Sequence, residues 1–131
     1  MSEPWHILGA GALGSLYAAF LASAGANVTI VERNADRQDK PAGNTAPGTR
    51  KFSVSSPVAE LQREFCINTS RADDRSEIKR LLVATKSYDA VAAVSSVRHR
   101  LTDTSDVVLM SNGSGYQQEV AQTVSKPRYF N

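Results

Sequence analysis

Trp5-His6-Ile7-Leu8-Gly9-Ala10-Gly11-Ala12-Leu13-Gly14-Ser15-Leu16-Tyr17-Ala18-Ala19-Phe20-Leu21 runs on through Gly25 and Asn27-Val28-Thr29-Ile30-Val31 to Glu32-Arg33. The reading of this stretch decides the fold. His6-Ile7-Leu8 is short and apolar, as a buried strand is. Gly9 to Gly14 fits G-x-G-x-x-G. Leu13, Leu16, Tyr17, Phe20 and Leu21 then recur at helical spacing, and Gly25 suits the left-handed cap that ends a helix. Asn27 to Val31 is rich in β-branched residues and predicts the next strand. Each glycine has a separate physical reason. Gly9 permits a tight turn off the strand, Gly11 lets a pyrophosphate approach the backbone, and Gly14 lets the helix lie close on the sheet. The helix N-terminus then offers unpaired N–H groups to an anion. The turn Gly9, Ala10, Gly11, Ala12, Leu13, Gly14 therefore reads as a dinucleotide-binding turn. A flexible loop would not need the strand before it and the helix after it.

Beyond this unit, Glu32 and Arg33 stand side by side at the end of the second strand. An acidic residue there accepts hydrogen bonds from a ribose 2′-hydroxyl, whereas an arginine accommodates a 2′-phosphate. Neighbouring strand residues alternate in direction, so one of the two faces the ribose. We favour Arg33, with Arg37 beyond it, and hence NADP. Asn34 to Arg50 is polar, carries prolines and glycines, and reads as a loop. Phe52 and Val54, then Leu61, Phe65 and Ile67, predict two strands forming an antiparallel hairpin at a sheet edge. Ser70 to Arg80 is charged and predicts a surface turn with a short helical piece.

Leu81-Leu82-Val83-Ala84 predicts a buried parallel strand, with Thr85-Lys86-Ser87-Tyr88-Asp89 at its carboxyl end. Ala90, Val91, Val94, Val97 and Leu101 predict one helix, N-capped by Asp89 or Ser87. Asp106 to Met110 predicts another strand, Ser111 to Gly115 a turn, Gln117 to Val124 a short helix, and Arg128 onward a further strand. Strand and helix alternate, so the fold class is α/β. The expectation is a Rossmann-type domain over residues 1–131, with a mainly parallel sheet and helices on both faces. Ligands of such sheets bind beyond the carboxyl ends of the strands. Three loops converge there: Gly9 to Gly14, Thr85 to Asp89, and Ser111 to Gly115.

Composition narrows the function. The chain has 131 residues, 41% of them hydrophobic, and a net charge of +2. That charge, without a basic run longer than two residues, gives no footprint for nucleic acid. No apolar run reaches membrane-spanning length. The N-terminal Met1-Ser2-Glu3-Pro4 lacks a basic n-region, so no signal peptide is expected. The single cysteine, Cys66, has no internal disulfide partner, and a cytoplasmic setting fits. Among candidate chemical groups, Lys86 can meet a phosphate, a ribose or a substrate carboxylate, and Asn112 a ribose hydroxyl or a substrate oxygen. His6 and His99 lack the surroundings of a general base. There is no metal-ligand spacing.

Ile7 to Leu16, Leu82-Val83-Ala84-Thr85-Lys86-Ser87-Tyr88 and Ser111-Asn112-Gly113-Ser114-Gly115 together resemble the N-terminal domain of the ketopantoate reductase (2-dehydropantoate 2-reductase) family. The glycine turn is shared by many dehydrogenases, whereas the Lys86 and Asn112 segments are specific. The resemblance implies an NADP-dependent oxidoreductase that reduces the 2-oxo acid ketopantoate to pantoate with NADPH, in pantothenate and coenzyme A biosynthesis. By position, Gly9 to Gly14 hold the pyrophosphate, Arg33 the 2′-phosphate, and Lys86 the cofactor, while Asn112 lies near both the nicotinamide ribose and the substrate. Ser114 departs from the larger residue common in the family. The family carries a second, helical domain that supplies a lysine general acid. No catalytic residue is expected within this chain, which reads as a truncated cofactor half, inactive alone and able to dimerise through an exposed interdomain face. Two other readings stay open: a stand-alone dinucleotide-sensing module, and the cofactor domain of another 2-oxo or 3-hydroxy acid dehydrogenase.

Overall fold

A computed structural model describes residues 4–9, 12–32, 49–56, 61–110 and 115–130. Its elements, in chain order, are β1 (Trp5–Leu8), α1 (Ala12–Ser23), β2 (Val28–Glu32), β3 (Thr49–Ser56), β4 (Leu61–Arg71), β5 (Arg80–Val83), α2 (Ala90–Ser96), β6 (Asp106–Leu109), α3 (Tyr116–Thr123) and β7 (Arg128–Phe130). Short 3-10 turns at Ser87–Asp89 and Arg98–Arg100 flank α2. The described strands form one seven-stranded sheet in the order β3-β4-β2-β1-β5-β6-β7. Every pairing is parallel except β3 with β4, the hairpin expected at the sheet edge.

Period-two alternation sorts the strand side chains onto two faces. Ile7, Val28, Ile30 and Leu82 are buried on one face with Ala18 of α1. Leu8, Val31, Leu81, Val83, Val107 and Leu109 are buried on the other, with Ala93 and Val94 of α2 and Val120 of α3. The core is thus two apolar layers split by the sheet, and the expectation of helices on both faces holds. Along α1, Tyr17 and Leu21 pack on the sheet with Ala18, while Leu16 and Phe20 face outward, 38% and 61% exposed.

Three expectations need correction. The connection Ala72–Lys79 contains no helix. It returns the chain from the end of β4 to the start of β5, a parallel crossover usually made by a helix within a dozen or more residues. Here the buried Arg100 supplies the missing hydrogen bonds. Its Nε donates to Ser76 O at 2.8 Å, Nη1 to Arg71 O at 2.8 Å and Ser70 Oγ at 3.3 Å, and Nη2 to Ser76 Oγ at 3.1 Å. The expected helix from Ala90 to Leu101 is also broken. It leaves α geometry at Val97, whose φ and ψ are −116° and 12°, and resumes as the 3-10 turn bearing Arg100. Nor does either proposed cap act through its side chain. The 3-10 turn Ser87–Asp89 extends α2 toward its start, and the Ala90 N–H donates to Ser87 O.

Candidate functional site

The crevice lies where the chain leaves the sheet in opposite directions. From β1 it crosses through α1 to β2 on one side. From β5, the neighbour of β1, it crosses through α2 on the opposite face to β6 on the other side. Strand order thus reverses between β1 and β5, and the carboxyl ends of these strands open a crevice there. The backbone brings those ends level. Ala84 N–H donates to Leu8 O at 2.9 Å, and Met110 N–H donates to Val83 O at 3.0 Å. Two of the three loops expected to share the rim therefore do so. The turn residues that follow Met110, Ser111 to Ser114, lie outside the described residues, as do Ala10, Gly11 and Arg33.

Gly9 turns the chain off β1 with φ of +109°, a conformation side chains other than glycine rarely take. A Cβ there would meet Ala84 C and Thr85 N and Cγ2, each at 3.1 Å, so the turn rests against the β5 exit. A Cβ on Gly14 would stand 1.8 Å from Gly9 O and 3.5 Å from Ile7 Cγ2. The third glycine of the motif thus lets the first turn of α1 seat on the end of β1. Ala12 and Leu13 are the first residues of that helix. Across the crevice, Lys86 is exposed and extended, with φ and ψ of −62° and 150°, and its carbonyl accepts the Asp89 N–H at 2.9 Å. Tyr88, which the sequence reading gives no role, stands on the same turn 81% exposed. Its place in the loop that leaves the buried β5 was the available signal. An aromatic beside a helix start reads by default as core.

At the adenosine end, Glu32 closes β2 and pairs in register with Arg71, the last residue of β4. The Arg71 Nε lies 3.1 Å from Asp73 Oδ1. Among the described residues there is no cluster able to hold a metal, and no helix is long and apolar enough to cross a membrane.

His6 sits in β1, buried, and its surroundings keep the imidazole neutral near pH 7. Burial, and secondarily the Arg100 charge, lower its pKa from 6.5 to about 4, against a small opposing effect of the Pro4 backbone. Unfolded His6 therefore takes up a proton between these values that folded His6 refuses. The unfolded state binds more protons, so this contribution is complete above pH 6.5 and is lost as pH falls toward 4. Urea unfolding at pH 7 and pH 4.5 should show about 2 kcal/mol more loss in the parent than in His6→Gln. Equal losses would mean that His6 titrates normally in the fold.

With this geometry in hand, similarity to known proteins is informative. The model of the ketopantoate reductase PanE/ApbA family matches residues 5–131. The chain belongs to that family. A 2-dehydropantoate 2-reductase of Pyrococcus abyssi is 27% identical over 117 residues, covering 89% of this chain and 35% of the relative. The 2-dehydropantoate 2-reductase structure from Methylococcus capsulatus aligns with a TM-score of 0.66 at 22% identity, over 96% of this chain and 39% of that one. A D-mandelate dehydrogenase solved with NADH and anilino(oxo)acetate aligns with a TM-score of 0.71 at 14% identity, over 98% and 40% of the two chains. These structural likenesses establish the Rossmann-type fold. The family chain described here spans about a third of the length of its curated relative.

Proposed function

We propose that residues 1–131 are the cofactor-binding domain of an NADPH-dependent reductase of 2-oxo acids, with ketopantoate as substrate and pantoate as product. The observation that carries this reading is the glycine turn at the β1–β5 switch point, where Gly9 and Gly14 occupy positions that a Cβ would block. Membership of the ketopantoate reductase family supports the choice of substrate. In this reading the turn Gly9, Ala10, Gly11, Ala12, Leu13, Gly14 takes the pyrophosphate on backbone N–H groups. Arg33 pairs with the 2′-phosphate, Lys86 contacts the cofactor from the β5 side, and Asn112 orients the nicotinamide ribose and the substrate oxygen. The nicotinamide supplies the hydride. The alkoxide that develops on the substrate needs a proton donor. None of the residues assigned here is that donor, and a lysine from a helical domain of the complete protein fills the role. The partner of this domain is then a small 2-oxo acid, and self-association would use the carboxyl edge, where Phe130 is half exposed. A cytoplasmic location belongs to the same proposal.

Calorimetric titration tests the cofactor assignment. NADPH should bind more tightly than NADH, by about tenfold or more if Arg33 pairs with a partly desolvated phosphate. Arg33→Ala should close most of the gap. Equal affinity of the parent for both cofactors would remove Arg33 from the 2′-phosphate site and leave Glu32 as the ribose ligand.

A further inference from the structure

We propose that Tyr88 is a cofactor-binding residue, the wall of the crevice that faces the glycine turn and packs on the bound dinucleotide. This rests on the assignment of the crevice to a nicotinamide dinucleotide and adds to it a residue to which the family resemblance gives no role. Among the described residues, Tyr88, 81% exposed, is the most open of the exposed large apolar side chains, the others being Leu16, Phe20 and Phe130. Leu16 and Phe20 lie on the outer side of α1, and Phe130 ends β7 at the sheet margin. Of these four described side chains, Tyr88 is the one at the switch point.

The local backbone explains why its ring is left open. The turn Ser87–Asp89 contributes no buried residue and no side-chain cap, so nothing in the turn draws the ring into the core. Yet the turn itself is fixed. The Asp89 N–H is bound to Lys86 O and the Ala90 N–H to Ser87 O, and Ala90, the first residue of α2, is fully buried. The ring is thus presented from a rigid base. Three residues earlier, Thr85 sits within van der Waals reach of the Gly9 turn. The chain leaves β1 toward α1 on one face of the sheet and leaves β5 toward α2 on the other. A dinucleotide laid across the gap passes between the Gly9 side and the Tyr88 side. A tyrosine offers such a ligand a broad apolar surface at low conformational cost, with two side-chain torsions to fix. Lys86, exposed two residues earlier, adds a cation on the same side.

Two measurements on the full chain test this. In the first, NADPH affinity is compared for the parent, Tyr88→Phe and Tyr88→Ala. The expectation is a change of less than about twofold for Phe and about tenfold weakening for Ala, the usual scale for losing an aromatic stacking surface. Unchanged thermal midpoints are expected, because the side chain is exposed. In the second, the parent is nitrated with tetranitromethane and Tyr88 is followed by peptide mass spectrometry. Saturating NADPH should slow its modification severalfold. If the parent binds no nicotinamide dinucleotide, the assignment of the crevice fails and this inference fails with it. If the parent binds NADPH while Tyr88→Ala binds equally well and Tyr88 nitrates at an unchanged rate, the crevice assignment stands and the role of Tyr88 is overturned.

Discussion

Gly14→Ala should destabilise the domain by about 3 kcal/mol and abolish cofactor binding. The added methyl carbon would stand 1.8 Å from Gly9 O, a backbone atom with no torsion free to retreat. Either α1 lifts from the sheet or β1 shifts. Lifting α1 would open the layer of Ala18, Ile7, Val28 and Ile30 beneath it. Overpacking a tight contact costs about 1–3 kcal/mol, and this one lies at the upper end because both partners are main chain. The Gly9 turn would move with either adjustment. Urea denaturation of parent and variant measures the first effect and NADPH titration the second. A variant as stable as the parent would mean that helix and strand do not approach as closely as described.

Arg100→Met should be comparably damaging, at about 3 kcal/mol, and through different physics. Arg100 is 1% exposed and bridges Ser70, Arg71 and Ser76 by four hydrogen bonds. Burial lowers its pKa, with the Asp74 charge opposing, so its desolvation is a real cost. Methionine would relieve that cost and fill a similar volume. It would also leave Ser76 O and the hydroxyls of Ser70 and Ser76 without this donor, and Arg71 O with the Asp74 N–H alone. These groups are only part-buried, so each one abandoned costs about 1 kcal/mol. The loss should fall first on the Ala72–Lys79 crossover. Hydrogen exchange there should accelerate before it does in β1 and β5. Protection unchanged at the Ile78 amide, which donates to Arg100 O, would show that this arginine does not hold the crossover.

How far the residues alone led is clearest at particular positions. β1, α1 and β2 were legible because periods of 2 and 3.6 follow one another there without interruption, with glycines where the direction changes. The β3–β4 hairpin was legible from alternation, although its range grew once paired, because ladder hydrogen bonds extend strands past their apolar residues. The crossover after β4 was not legible. Its backbone is satisfied by Arg100, a residue distant in sequence, and no local pattern reports such a partner. The break at Val97 was hidden for a related reason. Val94, Val97 and Leu101 fit α and 3-10 spacing alike, and the need to aim Arg100 inward decides between them. At the site, the reasons assigned to Gly9 and Gly14 correspond to contacts now described, with φ of +109° at one and the 1.8 Å approach at the other. The placements expected for Ala10, Gly11, Arg33 and Asn112 fall outside the described residues. Tyr88 is given no role by the sequence because exposure is a tertiary property.

In the proposed function, the carboxyl edge between β1 and β5 binds a nicotinamide dinucleotide. The most direct test is a titration of the isotope-labelled 131-residue chain with NADPH, followed by amide chemical shifts. Saturable shifts are expected at Gly9, at Gly14 and Ser15 in the first turn of α1, and at Thr85 to Asp89. The amides of Thr102 to Ser105, which precede β6 at the opposite edge, should stay in place. No saturable shift at the glycine turn, or shifts confined to that opposite edge, would contradict the claim.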